Sequence, residues 1–355
     1  MAGYTSGTNG NNGLNNGLNT VLSVEQPLWT FGKLEAGIES ATATNEAQDA
    51  RIREVKYELA LRVVDAWQEL VSSQERIQEL QITLDKLNEY LDLMKRRVES
   101  RVSPDIELVL ISARTAQTND DLQQAKAARG IALAKLERLI GEDRNTLDLQ
   151  GMMNLTDAYA ITKTKLTKIV LSDIENNLNR HPSIVKASQQ AEALTQQAIA
   201  KKAARFPEVY ARAQSTLSAD ATTGNNQGLF LGIRYQPGNG FSNNDVARSA
   251  EARVASQQQA VEVIKRDISN AIGIDFENMS NAITREETLQ RAKDSSYEVF
   301  DSYERQFAAG RRTWQDVLNA VRENSDNRVA LANTRATALA AAYRIRIRMS
   351  DLDWQ

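Results

Sequence analysis

The chain has no cysteine among its 355 residues. No disulfide, thiolate nucleophile, thiolate-held metal or lipidated cysteine is therefore available to it. With a single histidine, His181, there is no multi-histidine metal site either. Proline (5) and glycine (17) are sparse, and aromatics make up only 6%, too few for the packed globules that this length would normally fill. Charge of neither sign dominates: 43 basic against 46 acidic residues leave a net −3. Nucleic acid and other polyanions are thus not expected partners. Mean hydropathy is −0.47, and no run approaches the 18 or more apolar residues of a spanning helix. That excludes a helical membrane protein but not a β-barrel, whose signal per strand is weak. Met1 opens no secretory leader, so the chain reads as cytoplasmic or as one whose N-terminus has been removed. No carboxylate pair, phosphate-cradling glycine loop or nucleophile constellation stands out. Neither enzymatic activity nor a cofactor is expected, and His181 reads as a helix-entry residue beside Pro182.

What the chain has is long helical periodicity. Apolar or small residues recur at Ile52, Val55, Leu59, Val63, Ala66, Leu70, Ser73, Ile77, Leu80, Leu84, Leu87, Leu91, Met94 and Val98, a heptad seam after one extra four-residue step. A helix over 45–102 would be on the order of 85 Å long, which implies an elongated molecule. It ends at Ser103-Pro104, where Ser103 can cap and Pro104 suits a first turn, and a return helix is expected over 104–140. The facing positions expected on that return are small: Ala113, Ala116, Ala125, Ala127, Ala128, Gly130, Ala132 and Ala134.

The same pattern recurs about 210 residues later, with Gln26-Pro27 matching Gln236-Pro237 and the tip near Arg101 matching Gly310. Long helices are expected over 244–308 and 313–349. Ahead of each helical hairpin lie alternating segments that read as strand hairpins, over 1–27 and 207–237. A helix over 183–204 precedes the second. The reading is therefore a first repeat over 1–140, an equatorial connection over 141–182 and a second repeat over 183–355. The helix and most of the strand that should open the first repeat are expected to precede residue 1. The fold class is mainly α with a small β part.

In this order, helix, His181-Pro182, alanine run, Phe206-Pro207, strand hairpin, Gln-Pro, heptad helix, tight tip and alanine-rich return resemble the TolC family of outer-membrane channel proteins. The most specific stretches are Phe307-Ala-Ala-Gly-Arg-Arg-Thr-Trp-Gln-Asp-Val-Leu, similar to the family's second aperture tip, and Val24-Glu-Gln-Pro-Leu-Trp, similar to its exit from strand to helix. The resemblance implies a homotrimer closing a 12-stranded β-barrel in the outer membrane of a Gram-negative bacterium, on a 12-helix α-barrel across the periplasm. Its partners would be a periplasmic adaptor, an inner-membrane ABC or proton-driven pump reached through that adaptor, and outer-membrane lipid. The resemblance places Asp316 in an acidic ring at the aperture, Arg312 at a latch and Phe307 where a latch tyrosine can stand. Asn319 occupies the site of a second acid in some relatives. Adaptor docking would involve Arg101, Val102, Ser103, Pro104 and Asp105 at the first tip and Ala309, Gly310 and Arg311 at the second. At the first tip Arg101 replaces a frequent glycine, leaving the left-handed turn in question, and Val109 stands where an acid is expected, with Asp105 and Glu107 nearby. The non-glycine tip inclines the reading toward type I protein secretion, with small-molecule efflux as the alternative. Trp29, Phe31, Phe206, Tyr235 and Phe241 would lie where strands meet helices, as an interfacial girdle or as junction core. The competing reading is a soluble coiled-coil scaffold.

Overall fold

The computed structural model of the chain describes residues 2–7, 19–142, 159, 178–218, 226–236, 238, 240 and 242–349. Most of the expected connection, residues 8–18 of the first expected strand hairpin, Pro237 and Phe241 lie outside them. The elements are β1 (Ala2–Gly7), β2 (Asn19–Trp29), α1 (Lys33–Glu99), α2 (Asp105–Ile140), a single 3-10 turn (Leu178–Arg180), α3 (Pro182–Ala203), β3 (Glu208–Ser218), β4 (Asn226–Arg234), α4 (Asn243–Ala308) and α5 (Trp314–Arg348). Proline placement explains how helices of 67 and 66 residues persist. Pro104 precedes α2, Pro182 opens α3, Pro207 precedes β3, and Pro27 sits where the β2–β3 register shifts, so no proline interrupts a helix interior.

Packing does not follow the two sequence repeats. One compact unit is Met1–Ile52 with Pro182–Ile264 and the other is Arg53–His181 with Lys265–Gln355, so each draws on both.

In the first unit, four antiparallel strands form one sheet in the order β1-β2-β3-β4. Glu25 pairs with Arg212 across β2 and β3, and Tyr210 with Gly232 across β3 and β4. Alternation sends Leu229, Leu231 and Ile233 to one face, where they are 79%, 77% and 73% exposed, with Leu22, Val24 and Leu28 of β2 also exposed. The start of α1 buries Ala36, Ser40, Ala43, Ala47 and Ala50, spaced alternately by four and three. This corrects the expected seam. Ile52, Val55 and Leu59 are exposed, and the buried stripe continues through Glu54 and Tyr57 before the expected positions take over at Ala66 and Leu70. Alanine and serine bring backbones close enough for direct pairing, as when the Ser40 hydroxyl donates to the Ala193 carbonyl at 3.0 Å.

The second unit holds the larger core. Leu80 packs with Leu122 and Ala125, and Ala66 and Leu70 pack with Ala132, Leu133 and Leu136. Of the small residues expected to line α2 inward, only Ala125 and Ala132 are buried; Ile111, Thr118 and the leucines do most of the packing. On α5, Ala340, Ala341 and Ala342 are all buried, and Ala341 and Ala342 pack with Ile272, Met279 and Ile345. Buried charge is paired: Asp275 meets Arg344 Nε at 2.9 Å and also Arg348, while Arg344 reaches Asp65 at 3.0 Å, tying α1, α4 and α5 together.

Candidate aperture at the helical tips

Both long helices end in the same way. At the first tip, Arg101 N–H donates to the Val98 carbonyl at 2.8 Å and Val102 N–H to the Arg97 carbonyl at 2.8 Å. At the second, Gly310 N–H donates to Phe307 and Arg311 N–H to Gln306, both at 2.9 Å. This paired pattern needs a left-handed residue just past the helix, and Arg101 (φ 56°) supplies it as Gly310 (φ 70°) does. The left-handed turn is thus retained at the first tip, at the strain cost of a side chain where glycine would have none.

The return helices start differently. Thr313 caps α5 in a reciprocal box: its hydroxyl accepts from Asp316 N–H at 3.3 Å, and the Asp316 carboxylate accepts from Thr313 N–H at 3.2 Å and from its hydroxyl at 2.7 Å. These bonds, the Thr313 hydroxyl first and Arg312 last, hold the Asp316 carboxyl below the usual carboxylate range. Asp316 is therefore charged at neutral pH, and its charge also closes its own helix. At the first tip the expected Ser103 cap does not form. Pro104 is the capping residue and has no side-chain acceptor, while the Ser103 hydroxyl accepts from Arg97 Nε at 3.0 Å. Counting from each helix start, Glu107 and not Val109 holds the position of Asp316. Pro104 lacks the N–H that Thr313 offers its acid, so no second box can form around Glu107.

Beneath the turns lies one core drawn from all four long helices: Leu87, Tyr90, Met94, Ile111, Phe307, Trp314, Val317, Leu318 and Val321. Trp314 is 1% exposed, edge-on to Tyr90 with ring centres 5.0 Å apart, and also 5.0 Å from Phe307. Phe307, offered by the resemblance as a latch residue, is an inward core side chain of its own chain. Arg97 stacks on Phe307 at 5.1 Å while holding Ser103, and so couples the two turns. Arg312 lies over Tyr303 at 4.3 Å, donates to Gln306 at 3.3 Å and stands 3.8 Å from Asp316, folded back on its own hairpin. Asn319, Asp105, Ala309, Gly310 and Arg311 are exposed, as is Val102. Sequence reasoning missed Arg97, which no motif marks, and the Thr313-x-x-Asp316 box, which the capping pattern could have revealed.

Away from the tips, Trp29, Phe31 and Phe206 come together, Trp29 edge-on to Phe31 at 5.9 Å and Phe31 stacked on Phe206 at 5.1 Å. All three remain exposed, and Phe31 adopts a left-handed conformation (φ 52°) to make the stack. Tyr235 is exposed. Among the described residues no helix is long and apolar enough to cross a membrane, and no acidic or histidine cluster could hold a metal ion.

The architecture matches solved channels over nearly the whole chain. The outer-membrane channel OprN aligns over 98% of this chain and 80% of its own at 17% identity (TM-score 0.80). VceC from Vibrio cholerae aligns over 98% and 85% at 16% identity (TM-score 0.80). The open state of the Neisseria gonorrhoeae MtrE outer membrane channel aligns over 98% and 79% at 15% identity (TM-score 0.78). At such identities the likeness is one of fold. The residue pattern of the outer membrane efflux protein family fits residues 1–142 and 174–347, most of the chain, and the protein belongs to that family.

Proposed function

We propose that three copies of this chain form an outer-membrane duct that carries solutes out of a Gram-negative cell, fed from the periplasmic side by an adaptor and an inner-membrane pump. One observation carries the reading: a four-stranded antiparallel sheet with an exposed aliphatic face and two edges, β1 and β4, that have no further strand among the described residues. Such a sheet meets lipid only if its edges are closed, since unpaired backbone groups in hydrocarbon cost several kcal/mol each. Three copies would supply the 12 strands of a barrel. Efflux is preferred over protein secretion because the family is that of outer membrane efflux proteins. The non-glycine first tip does not count against this, since Arg101 keeps the left-handed turn there. At the helical tips, Asp316, charged at neutral pH, would form a ring of three carboxylates favouring cations.

Expression in a Gram-negative host tests this directly. The protein should fractionate with the outer membrane, run in detergent at the mass of three chains and conduct in planar bilayers. Asp316→Ala should then lower the K+ over Cl− permeability ratio several-fold. A soluble monomer would favour the scaffold reading, and unchanged selectivity would remove Asp316 from the ring.

A further inference from the structure

We infer that the sheet carries a cationic collar on the face opposite its aliphatic one, and that this collar draws anionic solutes through the barrel. The inference rests on the barrel reading above, which turns that face toward the lumen.

The collar is built from three strands. Glu25 of β2 accepts from Arg212 of β3 through Nε at 3.0 Å and from Arg234 of β4 at 2.7 Å. Both guanidiniums also lie against one ring, that of Tyr210, at 5.3 Å for Arg212 and 4.7 Å for Arg234. Tyr210 can take this place because its cross-strand neighbour is Gly232, where a Cβ would fall 2.5 Å from the tyrosine Cζ. The four side chains thus form one preorganised unit on the face away from Leu229, Leu231 and Ile233.

The charge count decides its sign. The described strands carry four charged residues: Glu25, Glu208, Arg212 and Arg234. Glu208 is neutralised by Lys33 Nζ at 2.5 Å, at the start of α1. Glu25 answers one arginine and not two, so one net positive charge remains per chain. Three chains would set three such charges around one water-filled bore, where the field of fixed charges concentrates counter-ions. The arginine side chains are 37% and 38% exposed, so their remaining N–H groups reach water. The family resemblance puts an acidic ring at the tips; this collar would oppose it, acting on anions where Asp316 acts on cations.

Reversal potentials of planar-bilayer channels under a KCl gradient test the collar, with detergent mass as the check on assembly. Arg212→Gln and Arg234→Gln should each raise the K+ over Cl− ratio roughly twofold, and Arg234→Lys should leave it near the parent value. Glu25→Gln, which frees positive charge, should shift the ratio the other way; it carries the test alone if the glutamine variants at the arginines fail to assemble. Ratios unchanged in assembled channels would overturn the collar and leave the cluster as a brace between strands. Failure of the unmutated chain to form channels would instead count against the barrel itself.

Discussion

Arg101 shows how much backbone geometry a sequence pattern can hide. A left-handed conformation costs an L-residue roughly 1–2 kcal/mol that glycine does not pay, partly offset by glycine's greater freedom in the unfolded chain. Arg101→Gly should therefore stabilise the first tip by about 1 kcal/mol, whereas Arg101→Ala should not, because alanine keeps the strain. Hydrogen exchange at the Val102 and Ser103 amides, both bonded to the Arg97 carbonyl, reads this locally. Faster exchange in the glycine variant would refute it. A second residue, His181, makes the fold sensitive to pH. Burial pushes its pKa down to about 4, with Arg348 adding to the effect and Glu54 opposing it, and its ring sits edge-on to Tyr57 at 5.8 Å. Because the folded state resists protonation that the unfolded state accepts below about 6.5, stability is full above that pH and declines as pH falls toward 4, by on the order of 3 kcal/mol at most. Urea midpoints between pH 7 and 5, above the main carboxylate range, should fall in the parent and stay flat in His181→Gln. Parallel curves would show that His181 is not the sensor.

At the scale of elements, the helices are held together by a few buried ionic ties as well as by alanine seams. Asp275 faces both Arg344 and Arg348 with its side chain only 7% exposed, whereas Asp65, which meets Arg344 from α1, is 59% exposed. Removing the buried partner leaves Arg348 without a carboxylate and Arg344 with the exposed Asp65 alone, so Asp275→Asn should cost about 3–5 kcal/mol in thermal or urea unfolding, while Asp65→Asn should cost less than about 1 kcal/mol. Equal losses would mean that burial does not govern the network. These elements also show what could be read beforehand. Helix type, order and the two tips follow from heptad spacing and proline placement, which are local and strong signals. The start of α1 does not: Ala36, Ala43, Ala47 and Ala50 are buried and Ile52, Val55 and Leu59 exposed, because a close backbone approach selects small residues, while hydrophobicity alone pointed to the larger ones. At the tips, the roles of Phe307 and Arg97 depended on which side of each helix meets the other hairpin. That is a tertiary fact, and no spacing within one helix encodes it.

At the scale of the whole molecule, the barrel reading turns the exposed aliphatic face of the sheet, with Leu229, Leu231 and Ile233, toward lipid. Membrane insertion should then depend on the face a residue occupies and not merely on its strand. Leu231→Arg places a charge on that face and should cost about 2–4 kcal/mol if it lies near the bilayer midplane, less toward either interface, with a matching loss from the outer-membrane fraction. Gln214→Arg puts the same charge on the neighbouring strand, on the face shared with Tyr210 and Arg212, and should insert normally. The two variants have equal net charge and carry it on opposite faces of the sheet. Equal insertion of both, or equal failure, would mean that the aliphatic face does not meet lipid, and the barrel would fall with it. Normal insertion of Gln214→Arg alone would show that a chain this hydrophilic enters a membrane through alternate residues of a few strands.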